Sequence, residues 1–135
     1  MKLRLLINII SLSIMQSLAA QDSLKISYPL VMSFHSQCCG VPTETSLQSF
    51  MTSFKKKYKI KKITATHIGP MGREGEYYLA FKLTELSKKQ KKDFITKIKK
   101  IKKLPRDKGT FSFMEKMDIN SGSLPGRATS KPVDF

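Results

Sequence analysis

The chain has 135 residues, with 25 Lys and Arg against 10 Asp and Glu and a formal net charge of +15. That length fits one domain and is sufficient for a core without disulfide staples. The excess is almost entirely Lys, with Arg only at Arg4, Arg73, Arg106 and Arg127. Such a balance speaks against planar, bidentate phosphate reading and for looser contact with anionic neighbours.

Residues 1–20 read as a signal peptide. Lys2 and Arg4 supply a positive start, Leu5 to Met15 an apolar run, and Ser17-Leu18-Ala19-Ala20 the small residues of a cleavage site. The run is short for a bilayer core of roughly 30 Å, so no integral membrane span is expected after cleavage. The protein is therefore expected to be exported, to the periplasm or beyond, and to begin near Gln21.

Leu24, Ile26 and Tyr28, then Leu30, Met32 and Phe34 after Pro29, alternate as a strand. Residues 24–29 supply material for an extra N-terminal strand. The strand runs out at His35-Ser36-Gln37-Cys38-Cys39-Gly40. Thr43 is expected to cap a helix whose apolar stripe is Leu47, Phe50, Met51, Phe54 and Tyr58. Ile63–Ile68 is a second strand. Gly69 to Gly75 form a Gly-rich turn, and Tyr77, Leu79, Phe81 and Leu83 line one face of a third strand.

Ser87 with Gln90 makes a capping box for a second helix, with Phe94, Ile95, Ile98 and Ile101 as its buried stripe. Phe111, Phe113, Met117 and Ile119 suit a last strand, in which Glu115 fits the inward face poorly. From Asn120 the composition turns to Ser, Gly, Pro and Thr, predicting a single α+β domain over 21–119 and a disordered tail over 120–135. The order strand, helix, strand, strand, helix, strand predicts a ferredoxin-like βαββαβ two-layer sandwich, with two helices on one face of a four-stranded antiparallel sheet.

That topology draws three connections to one rim, where His35, Cys38, Cys39, His67, Met71, Arg73, Glu74 and Arg106 would meet. Neighbouring Cα atoms lie about 3.8 Å apart, so a Cys38–Cys39 bridge would be strained and easily reduced. In an exported chain the two thiols pair with each other or with another molecule. Two thiolates with His35, His67 or Met71 would alternatively suit a soft ion, copper or zinc. The placement resembles heavy-metal-associated domains, which carry cysteines in the loop between the first strand and first helix. Their spacing is Cys-x-x-Cys, whereas Cys38 and Cys39 are adjacent, and adjacent side chains tend to diverge.

The opposite edge gathers Lys55, Lys56, Lys57, Lys61 and Lys62 with Lys88, Lys89 and Lys92. This edge either binds a polyanion or an anionic envelope surface, or serves only as a solvated face. Nucleic acid is excluded as a partner: the third strand lacks the basic, Gly and aromatic pattern of RNA-recognition domains, and Gly75 is flanked by Glu74 and Glu76. No phosphate loop, zinc-protease helix or nucleophile elbow occurs. A binding or accessory protein of the cell envelope, rather than an enzyme, is the expectation. Its partner is an envelope protein of unstated identity or an anionic surface.

Overall fold

The computed structural model describes residues 25–122 and 124–135. The expected signal peptide lies outside the described residues. The elements in chain order are β1 (Lys25–His35), α1 (Thr45–Tyr58), β2 (Thr64–Gly69), β3 (Tyr77–Phe81), α2 (Lys88–Ile98), β4 (Thr110–Asn120) and β5 (Thr129–Asp134). They form an α+β fold with one open antiparallel sheet of five strands in the order β4-β1-β3-β2-β5.

The sheet departs from the sequence expectation. The strand count is five, not four, and the additional strand comes from the C-terminal end rather than from residues 24–29, since residues 25–29 belong to β1. The tail expected to be disordered contains β5, which pairs with β2 from Thr64↔Asp134 to Gly69↔Thr129. The Ser/Gly/Pro/Thr composition after Asn120 coincides with turns at 121–122 and irregular backbone at 124–128. It did not show that the chain re-enters the sheet, because β5 has few apolar residues of its own. Its stability comes from the open edge of β2 and from Phe135, whose backbone exchanges hydrogen bonds with Ile63 at 3.0 and 3.2 Å.

The core lies between the helices and one face of the sheet. Leu30, Met32 and Phe34 of β1 and Leu79 and Phe81 of β3 meet Leu47, Met51 and Phe54 of α1 and Phe94 and Ile98 of α2. Phe94 is fully buried and touches three rings, Phe50, Phe54 and Phe81, at centroid distances of 5.1–5.7 Å. The helical stripes are those the three- and four-residue spacing predicts. The Ser87–Gln90 capping box is present in both directions. Thr43 is not the cap of α1: its hydroxyl donates to Asp107 Oδ1 at 3.0 Å, and the helix begins at Thr45 with no side-chain cap.

A second, smaller cluster occupies the helix-free face: Tyr28, Val31, Ile68 and Ala80, flanked by Met71, Met114, Met117 and Leu124. Its membership shows a phase change in the β1–β4 ribbon. Lys116 has a left-handed φ of 54°, and Pro29 has no ladder partner in β4. Past this point the inward residues swap sides, so Tyr28, Met117 and Ile119 leave the helical core. Glu115 lies ahead of the swap, opposite Leu30 and on the helical side of the edge strand, where it forms an ion pair with Lys99.

Candidate functional site

Three connections meet at one end of the sheet. After β1 the chain turns through residues 36–44, where Gly40 adopts φ 113° and its N–H donates to Ser36 Oγ at 3.2 Å. Gly109, at φ 66°, lies against this turn: a Cβ there would come within 2.9 Å of the Gly40 carbonyl oxygen and 3.1 Å of Pro42 Cδ. Asp107 ties the same two segments, accepting from Thr43 through Oδ1 and from the Leu104 N–H through Oδ2 at 3.1 Å.

On this braced loop Cys38 and Cys39 are exposed, and their sulfurs lie 2.7 Å apart. The expected divergence of adjacent side chains therefore does not occur. The contact with Cys38 raises the Cys39 thiol above its ordinary pKa, with desolvation and the negative charge of Glu74 adding to it. Glu74 belongs to the 69–76 connection, so this turn does approach the cysteine loop.

The imidazoles do not join them. His35 Nε2 is hydrogen-bonded to Ser33 Oγ at 2.6 Å, and Ser33 follows Val31 onto the helix-free face. His67 is on the helical face, stacked on Tyr77 with ring centroids 4.6 Å apart. Met71 packs into the helix-free cluster, and Arg73 is exposed in the turn. The two histidines thus occupy opposite faces of the sheet. Among the described residues no three His, Cys, Asp or Glu side chains converge as a metal-ligating group, so the donors expected for copper or zinc are not assembled around the sulfurs. The signal for His35 was in the chain, because Phe34 points inward and its neighbour must point out. For His67 it was not: Ile63 and Ile68 are both apolar and of opposite parity, leaving the phase of β2 open.

One arrangement was not foreseen. Phe111, Phe34, Tyr77 and His67 form a row of rings across four strands, with Phe34 and Tyr77 stacked at 4.4 Å and 8°. Gly69 makes the last step fit, since a Cβ there would lie 2.7 Å from Tyr77 Cβ and 3.3 Å from the His67 ring. The Tyr77 hydroxyl donates to Glu44 Oε1 at 2.7 Å, and burial followed by the Glu44 contact pushes its pKa well above the ordinary phenol value. Burial, then the Lys131 charge directly across the strand pair, lowers the His67 pKa. Only strand register brings these groups together.

The lysine edge divides into parts. Lys57, Lys89 and Lys92 flank a groove of about 580 Å³ together with Tyr58, Asp93 and Thr96. Asp93 is its centre: it accepts from Lys97 at 2.8 Å, the Tyr58 hydroxyl at 2.5 Å and Lys57 at 3.4 Å. These contacts, Lys97 foremost, hold its carboxyl at about 2. Lys55 instead lines a groove between α1 and β5, and Lys62 pairs with Asp134 at 3.2 Å. Lys56, Lys61 and Lys88 are exposed. Lys97, outside the predicted set, was legible as the i+4 partner of Asp93.

No helix among the described residues is long and apolar enough to cross a membrane. The chain matches no protein-family model, and comparison with curated proteins and with solved structures finds no match.

Proposed function

We propose that this chain is an exported binding and accessory protein of the cell envelope, a ferredoxin-like βαββαβ unit extended by β5, whose Cys38–Cys39 loop captures a partner through sulfur. One observation carries this role: two exposed sulfurs, 2.7 Å apart, on a loop braced by Gly109 and Asp107. Bracing supports a sulfur pair held for contact with another molecule, since exposed thiols contribute little to packing.

The chemistry is thiol–disulfide exchange. A thiolate of the pair attacks a disulfide of the partner, forming a mixed disulfide and expelling one partner sulfur as a thiolate, which takes up a proton. The neighbouring thiol, once deprotonated, attacks the mixed disulfide. This closes the Cys38–Cys39 ring and releases the partner's second sulfur, so the partner's disulfide is reduced as the pair is oxidised. Run in reverse, the strained ring opens readily to a partner dithiol.

Intact mass after treatment with oxidised glutathione, with and without reductant, tests the role. The oxidised chain is expected to be lighter by two hydrogens and to resist alkylation, then to accept two alkyl groups after reduction. Two freely alkylating thiols after oxidant, or only glutathione adducts that never resolve to the ring, would overturn it.

A further inference from the structure

The outer face of α2 carries a second feature, independent of the thiols. The groove at Lys57, Lys89 and Lys92 does not end at Thr96. Lys92 and Thr96 also line a neighbouring groove of about 620 Å³, whose other walls are Ile95, Lys99, Lys100 and Glu115. The two share a wall and make one track from the C-terminal end of α1, along α2, to β4.

Six ammonium groups border this track or its Asp93 centre: Lys57, Lys89, Lys92, Lys97, Lys99 and Lys100. Two carboxylates oppose them, and both are already engaged, Asp93 by Lys57 and Lys97 and Glu115 by Lys99. Lys89, Lys92 and Lys100 have no ion pair among the described residues. Spent carboxylates beside unpaired ammonium groups leave a positive strip whose charge a bound anion would relieve.

We infer that this track docks a linear acidic polysaccharide. A membrane surface fits poorly, because the apolar stripe of α2 is committed to the core, with Phe94 and Ile98 fully buried. Single-stranded nucleic acid fits poorly too. The one aromatic ring in the track is Tyr58, whose hydroxyl is held by Asp93 and whose ring has the Lys57 ammonium 4.7 Å from its centroid, so no open platform remains for base stacking. A chain of uronic acid units needs neither insertion nor stacking. It needs spaced point charges and hydroxyl partners, which the lysines and Thr96 provide.

The test is fluorescence anisotropy of the full chain with a labelled alginate oligomer, at low and moderate salt. Affinity is expected to fall log-linearly with salt. Lys92→Glu, at the shared wall, should weaken binding roughly tenfold or more and flatten the salt slope by about one contact, as should Lys100→Glu. Lys131→Glu on β5, with the same change in net charge, should cost less than about threefold. Cys38→Ser should change nothing, which separates this site from the sulfur loop. Equal losses in the track variants and Lys131→Glu, with circular dichroism showing all of them folded, would refute a defined track. Tighter binding to single-stranded DNA or to anionic phosphatidylglycerol vesicles than to alginate would refute the assigned class of ligand.

Discussion

Cys39 has two neighbours that oppose its ionisation, the Cys38 sulfur 2.7 Å away and, more weakly, the Glu74 carboxylate. Each disfavours the thiolate, so removing either should lower the pH at which Cys39 becomes reactive. In Cys38→Ser, the midpoint of the alkylation rate against pH is expected to move down toward the ordinary thiol value. Glu74→Gln should move it down less, because its charge is the smallest of the causes. Midpoints unmoved in both variants would mean that the sulfurs are not neighbours in solution. At this scale the chain was partly legible. The doublet stood out because these are the only two cysteines, but its exposure and the convergence of its sulfurs depend on backbone angles that no residue type dictates.

Asp93 joins α1 to α2 by accepting from Tyr58 and Lys57 on one helix and Lys97 on the other. Its folded pKa of about 2 lies below the unfolded value of about 3.9. The stability it contributes is therefore complete above about pH 4 and is lost as pH falls through about 2. Urea unfolding of Asp93→Asn should show a lower midpoint than the parent chain at pH 6, with the difference shrinking toward pH 2. A difference that stays constant with pH would assign the effect to packing instead. The helices were the most legible elements, since Phe54, Phe94 and Ile98 recur at helical spacing and Ser87 and Gln90 mark a start. Thr43 misled because a cap residue is judged by local sequence, while its hydroxyl went to Asp107, 64 residues further along.

The whole sheet ends on one side in β5, which covers the edge of β2 and brings Phe135 against Phe81 with ring centroids 6.2 Å apart. A chain ending at Asn120 loses that cover and should be less stable by about 2–3 kcal/mol, mostly from the burial of Val133 and Phe135. Hydrogen exchange should show the Thr64–Gly69 amides losing protection. An unchanged melting temperature after truncation would mean that the tail does not hold the edge.

The chain by itself determined the alternation of strands and helices up to β4, the helical faces that become core, the charge of the α2 surface and the presence of one sulfur doublet. All of these follow from side-chain type at short spacing, where the 2- and 3.6-residue periods act. Tertiary structure alone decided the rest: that His67 belongs with Tyr77 rather than with the sulfurs, that Lys116 reverses the phase of β4, and that residues 129–134 complete the sheet. Each depends on which strand lies alongside which, and pairing across a sheet is set by contacts between segments far apart in the chain rather than by the residues of either segment.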